Sequence, residues 1–188
     1  TILLTVVVNP VAGALALLVG LLYVGAYTPL KQRTSLATLI GAVCGAIPPI
    51  IGWVAASGSL SVGAPWVLFA ILFLWQIPHF LAIDWFYRED YSRGGFTMVS
   101  KVDPTGRLSS NLIVVYSLAL IPVSLLATPL GLGGLLYFIG AIVLGMAYFG
   151  LSVAVWVAPT RASARRLFLG SLLYLPLLLG LLLLDPTA

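Results

Sequence analysis

Gln76-Ile77-Pro78-His79-Phe80-Leu81-Ala82-Ile83-Asp84-Trp85-Phe86-Tyr87-Arg88-Glu89-Asp90-Tyr91-Ser92-Arg93-Gly94-Gly95 runs from an apolar helix into a charged loop. It holds the only histidine of the chain and three of its five carboxylates. A chain that uses so few charges and gathers them at one helix end points to chemistry at that end.

The rest of the sequence explains why the helix is apolar. The chain has 188 residues, 61% of them hydrophobic and only 7% charged. A soluble domain carries about 25% charged residues. The composition therefore describes an integral membrane protein of the all-α class, a polytopic transmembrane helical bundle that forms a single domain. Cys44 is alone and pairs with no second cysteine in the chain. The net charge of +4 reports membrane topology and does not indicate nucleic acid.

A spanning helix needs about 20 apolar residues. Six stretches qualify, at about residues 2–26, 36–56, 65–87, 111–128, 132–157 and 167–184. Asn9-Pro10 interrupts the first, and Pro48-Pro49 should kink or break the second, since neither proline donates a hydrogen bond. Gly41 and Gly45, four apart on the second stretch, suit close helix packing. The loops alternate in charge. All nine basic residues fall in the first loop (Lys31, Arg33), the third (Arg88, Arg93, Lys101, Arg107) and the fifth (Arg161, Arg165, Arg166), while the second, Ser57–Ala64, and the fourth carry none. Six crossings put the charged loops on one face, cytoplasmic by the positive-inside rule, and Thr1 and Ala188 on the other. The chain opens at Thr1 inside an apolar run, so a preceding segment is expected.

At the charged face, Gly94-Gly95 is a helix stop, which places Asp90 in the last turn of the third span. A carboxylate is unfavourable there unless a cation offsets it. Two readings stay open: a salt bridge to Arg93, or a divalent cation bridging Asp90 to a phosphate. Asp84 lies six residues earlier, about 120° around the helix, and ranks below Asp90 as a metal ligand; an ion pair with Arg88 is its simpler role. His79 sits two turns inside the helix as a packing or hydrogen-bonding residue, or as a contact to an anionic or metalloporphyrin substrate. Lys31 and Arg33 report topology or hold diphosphate oxygens, and Arg88, Arg93 and Lys101 join them as diphosphate candidates. Tyr91, beside Asp90, is a further catalytic candidate.

Tyr27-Thr28-Pro29-Leu30-Lys31, the Gly41–Pro49 segment, Trp75-Gln76-Ile77-Pro78-His79-Phe80, Arg88–Gly95 and Ser163-Ala164-Arg165-Arg166-Leu167-Phe168 resemble the protohaem IX farnesyltransferases, a branch of the UbiA-type intramembrane prenyltransferases. The resemblance covers nearly the whole chain. It departs from the family in the first loop, where Lys31 is followed by Gln32, Ala37 stands in place of a downstream Asn, and Arg33 is shifted by one. It implies a nine-helix fold, with this chain as helices four to nine and the first Asp-rich motif upstream. It also implies Mg²⁺ on Asp90, with Asp84 second, and transfer of farnesyl from farnesyl diphosphate to a vinyl group of haem B to give haem O. The site implied is a bacterial or mitochondrial inner membrane, with haem A synthase or oxidase assembly proteins as neighbours. On the two-motif reading, residues 1–188 alone insert into a bilayer but make no haem O. Rival readings are prenyl transfer to a quinone or chlorophyll precursor, and a transporter-like bundle. The transporter fits poorly, because no Asp, Glu, Lys or Arg lies mid-helix.

Overall fold

The computed structural model describes residues 1–60, 63–95 and 98–187. Part of the expected second loop (61–62) and the terminal Ala188, expected opposite the charged face, lie outside the described residues. Among the described residues there are helices and turns and no strand. Six helical segments among the described residues are long and apolar enough to cross a membrane: Pro10–Leu30, Ala37–Ser57, Ala64–Phe86, Arg107–Leu125, Leu135–Val157 and Arg161–Leu184.

The first span begins where Asn9 caps α1 (Pro10–Leu22), its side chain accepting from the Val11 N–H at 2.7 Å. Pro10 needs no helical donor at that position. A wide π-helical turn, Tyr23–Tyr27, follows and leads into α2 (Thr28–Leu30). The second span is broken as Pro48-Pro49 requires. It consists of α3 (Ala37–Ala46) and α4 (Pro48–Ser57), joined at Ile47. The glycine pair packs closely: a Cβ on Gly41 would stand 3.0 Å from the Tyr27 ring, and one on Gly45 would stand 2.5 Å from Gln76 Oε1.

The third span, α5 (Ala64–Phe86), is the hub; α3, α8 (Arg107–Leu125) and α10 (Arg161–Leu184) pack on it, and α9 (Leu135–Val157) packs on α8 and α10. The bundle core holds Ile71, Leu81, Ile113, Leu120, Tyr148 and Leu178, all nearly inaccessible. Small polar residues sit at the helix contacts. Ser117, Ser124, Ser152 and Ser171 are buried. The Ser117, Ser152 and Ser171 hydroxyls donate to carbonyls one turn back, as when Ser152 donates to the Tyr148 carbonyl at 3.0 Å, while Ser124 Oγ meets the Tyr174 hydroxyl of another helix at 3.2 Å. In lipid such contacts let helices approach without leaving a polar group unpaired.

Three expectations are corrected. Arg107 opens α8 and does not lie in the third loop. The third span does not run on to Gly94. It stops at Phe86, and Tyr87 (φ −107°, ψ 21°) turns the chain into a separate short helix, α6 (Arg88–Arg93). Asp90 therefore lies in the first turn of α6, where the helix dipole favours a carboxylate, not in the last turn of a long helix. The stop is at the expected glycines, with Gly95 in the left-handed region at φ 75°. The last span also starts earlier than expected. Thr160 caps α10, its hydroxyl accepting from the Ser163 N–H at 3.1 Å, so Arg161, Arg165 and Arg166 belong to the helix and not to a loop.

Candidate active site at the charged helix ends

The charged loops are pinned to the bundle by buried polar contacts. Asp84, almost fully buried near the end of α5, accepts from the Ser100 N–H at 2.8 Å and from the Ser100 hydroxyl at 2.5 Å. This fixes α7 (Val99–Val102) against α5. Asp103 does the same one step later, accepting from the Ser109 N–H at 2.8 Å and so starting α8. Trp85 donates its indole N–H to the Pro159 carbonyl at 2.9 Å, which joins the third charged connection to the fifth. Gly106, at φ 72°, lies against the Trp85 ring so closely that a Cβ there would stand 2.6 Å away.

On this frame the candidate residues divide. Lys31 and Tyr91 line a largely apolar cavity of about 670 Å³ between the first span, α3 and α5. Tyr23, Tyr27, Cys44, Gln76 and Phe80 form its walls. Lys31 stands 5.8 Å from the Tyr27 ring centroid, and Gln76, almost fully buried, donates to the Ala42 carbonyl at 2.8 Å. The cavity thus has an apolar body with a cation and a phenol at one end. Burial pushes the Tyr91 hydroxyl above its ordinary value of 10.0, and the negative Asp84 nearby adds to the effect. Tyr91 is therefore a hydrogen-bond donor at neutral pH.

Asp90 faces elsewhere. With Glu89, Arg88, Arg93 and Arg161 it lines a polar pocket of about 370 Å³ between α5, α6 and the start of α10. Asp90 is paired with Arg93, the one ion pair among the described residues. Glu89 is not the partner of Arg93. Arg88 lies over the Trp85 ring at 4.8 Å and does not pair with Asp84. Arg161 lies over Phe86 at 5.0 Å. A third, open cleft of about 660 Å³ joins Arg88, Arg93, Tyr91 and Lys101. The cleft shares Tyr91 and Met98 with the apolar cavity and Arg88, Glu89 and Arg93 with the polar pocket, so the three adjoin one another. Arg33 and His79 line none of them. His79 instead meets α10, its Nδ1 2.6 Å from Ser171 Oγ, with its ring stacked on Trp75 at 4.9 Å.

A Mg²⁺ ion takes one or two protein carboxylates and otherwise phosphate or water oxygens. Asp90 and Glu89, accessible and adjacent in α6, fit that need. Asp84 does not, because both of its oxygens are already engaged by Ser100. Among the described residues no three His, Cys, Asp or Glu side chains cluster as a closed metal cage.

Sequence reasoning missed Trp85, Gln76 and Arg161. The first two lie in the Gln76–Gly95 stretch but received no role there, and only the tertiary fold shows that their polar atoms bridge helices. Arg161 was counted as a topology charge, although the Thr160-x-x-Ser163 spacing marks a helix start beneath it.

The chain is similar to several known proteins. It is 50% identical over 163 residues to a protoheme IX farnesyltransferase from Solibacter usitatus (strain Ellin6076), covering 87% of this chain and 56% of the relative. It is 42% identical over 186 residues to the protoheme IX farnesyltransferase of Koribacter versatilis (strain Ellin345), covering 95% and 60%. With the mitochondrial protoheme IX farnesyltransferase of Homo sapiens it shares 45% identity over 181 residues, 96% of this chain and 40% of the relative. The chain thus spans 60% or less of the length of these relatives. No solved structure matches it. The pattern of the UbiA prenyltransferase family matches residues 1–179, and together with six apolar spans it establishes that this multi-pass membrane chain belongs to the UbiA prenyltransferase family.

Proposed function

We propose that this chain carries out, as part of its membrane enzyme, the transfer of a farnesyl group from farnesyl diphosphate to a vinyl group of haem B, giving haem O. The observation that carries the reading is the apolar cavity of about 670 Å³ with Lys31 and Tyr91 at one end. An apolar chain with an anionic head fits such a shape, its isoprenoid body among Tyr23, Tyr27, Phe80 and Ile83 and its diphosphate at the charged face. The names of the relatives supply the acceptor.

Lys31, Arg88, Arg93 and Lys101 hold the diphosphate, and Tyr91 donates a hydrogen bond to it. Arg33 lies at the same face without lining a cavity and serves as a peripheral cation. Asp90, with Glu89 beside it, would hold Mg²⁺, which compensates charge on the departing diphosphate. Asp84 acts at one remove by fixing α7. Cleavage of the C–O bond leaves an allylic cation, and the haem vinyl carbon attacks it. Water then adds to the resulting cation and yields a hydroxyl and a proton, which the released diphosphate accepts. The apolar walls keep other water away. The charged loops face the cytoplasm or its mitochondrial equivalent, the matrix. Haem A synthase or oxidase assembly proteins would take the product.

The test is to supply the full-length enzyme of which this chain is part, reconstituted in a bilayer, with farnesyl diphosphate, Mg²⁺ and either haem B or an aromatic quinone precursor. Haem O from the first mixture and no prenylated product from the second is the expected result. Prenylation of the quinone precursor alone would replace this reading with the rival one.

A further inference from the structure

We infer that His79 binds the iron of the haem substrate as an axial ligand through Nε2, an inference that rests on haem being the acceptor. It begins with one hydrogen atom. Ser171 Oγ lies 2.5 Å from the Phe168 carbonyl oxygen and 2.6 Å from His79 Nδ1. A hydroxyl has one proton, and a carbonyl only accepts. The serine proton therefore goes to Phe168, and the Ser171–His79 contact is an Nδ1–H donating to Ser171 Oγ. In the neutral imidazole this leaves the lone pair on Nε2. No described residue donates a hydrogen bond to that atom.

The ring is also fixed in orientation. Ser171 is fully buried on α10, and the Trp75 indole donates to the Ser171 carbonyl at 3.0 Å while stacking on the imidazole at 4.9 Å and 23°. A histidine that gives its other N–H to a fixed acceptor is set up as a metal ligand, with tautomer and direction decided in advance. The surroundings select the metal. Phe80 and Phe168 stand 5.5 and 5.4 Å from the His79 ring, and among the described residues no carboxylate forms an ion pair with it. Such walls suit a flat apolar macrocycle whose iron takes imidazole, and they do not suit a hydrated Mg²⁺.

The spacing along α5 extends the argument. Phe86 is seven residues after His79, on nearly the same face and about 10 Å nearer the charged end. A porphyrin with its iron on His79 would reach the charged end with one edge, and transfer requires that this edge carry the vinyl group, because the farnesyl carbon that reacts is the one bonded to the diphosphate. Gln76, which lines the apolar cavity, is three residues before His79 and about 60° around the helix. The prenyl chain and the porphyrin would then occupy neighbouring faces of α5.

Reconstituted protein is titrated with haem B and with metal-free protoporphyrin IX. The wild type should prefer haem B by about tenfold or more and show the absorption and resonance Raman signature of nitrogen ligation. His79→Gly should lose both, and added imidazole should restore both. His79→Gln, which keeps more of the packing, should lose the ligation signature as well. An unchanged preference and spectrum in both variants would overturn the inference, as would rescue-insensitive loss of all porphyrin binding. In the full-length enzyme, ligated haem B without any haem O formation would refute the proposed reaction and leave the ligation standing. A wild type that binds no haem would refute the acceptor reading and the ligation together.

Discussion

Asp84 accepts both the N–H and the hydroxyl of Ser100, at 2.8 and 2.5 Å, while Asp90, six residues on, is accessible and paired only with Arg93. The two carboxylates thus have separate roles. An Asn at position 84 keeps one acceptor and loses the other, and hydrogen bonds to a charged group contribute about 1.5–3 kcal/mol. Asp84→Asn is expected to lower stability by about that amount and leave the Mg²⁺ dependence of any remaining activity unchanged. Asp90→Asn is expected to leave the thermal transition in place and remove Mg²⁺-dependent transfer. Measuring both variants by thermal unfolding and Mg²⁺ titration would expose an inverted order, which would overturn the division.

The contact between Gly106 and Trp85 gives a second expectation. At φ 72° a non-glycine residue is strained by about 1–3 kcal/mol. A Cβ would in addition meet the ring of a tryptophan held by the Pro159 carbonyl. Gly106→Ala should therefore loosen the third and fifth charged connections together. Limited proteolysis should show cleavage near Pro104 and near Pro159 rising in parallel. Cleavage at only one of them would show that Trp85 does not couple them.

The spans were legible because about 20 consecutive apolar residues in lipid have few alternatives to a helix. The break at Pro48-Pro49 was legible for a local reason, two missing N–H groups. The end of α5 was not. Phe86-Tyr87-Arg88 carries no glycine or proline, and the turn at Tyr87 reflects the anchoring of Asp84 and Trp85 to distant segments. The start of α10 was misread because three arginines look like a loop when charge alone is counted. At the site, the sequence named the candidate residues but not the face each would take. His79 and Gln76 are three apart, yet one meets Ser171 and the other Ala42.

Tyr91 supplies a pH expectation. Its folded-state value is raised above 10.0, first by burial. The folded protein therefore holds this proton more tightly than the unfolded chain. The stability it contributes is complete below pH 10 and is lost as pH rises through the folded value. Tyr91→Phe should remove part of the decline in stability above pH 10 and, by deleting a donor, raise KM for the prenyl diphosphate near neutral pH. Wild type and variant would be compared by tyrosinate absorbance and by melting across alkaline pH. Identical alkaline profiles would show that Tyr91 ionises as freely in the fold as outside it.

Sidedness is open to direct measurement. Ser59 lies in the uncharged second connection and Ser92 in α6, and both are exposed. Cysteines placed at these two positions should react with an impermeant thiol reagent from opposite sides of sealed vesicles. Labelling of both from one side would contradict the placement of the charged loops on a single face.

Gly45 and Gln76 set the shape of the inner cavity wall. A Cβ on Gly45 would stand 2.5 Å from Gln76 Oε1, and Gln76 is held by its bond to the Ala42 carbonyl at 2.8 Å. Gly45→Ala therefore forces the amide to shift and break that bond, or forces α3 away from α5. Overpacking of this kind costs about 1–3 kcal/mol. The displaced side chain has the cavity to move into, so KM for farnesyl diphosphate should rise along with the loss of stability. The explanation has a built-in check. If the clash is with Gln76, the double variant Gly45→Ala/Gln76→Ala removes its cause, and the two changes must couple instead of adding. The double variant should be no less stable than Gln76→Ala alone, and its KM should fall back toward that of the single Gln76 change. Strict additivity in stability and KM would mean that Gly45 matters for its backbone and not for the space it leaves to Gln76.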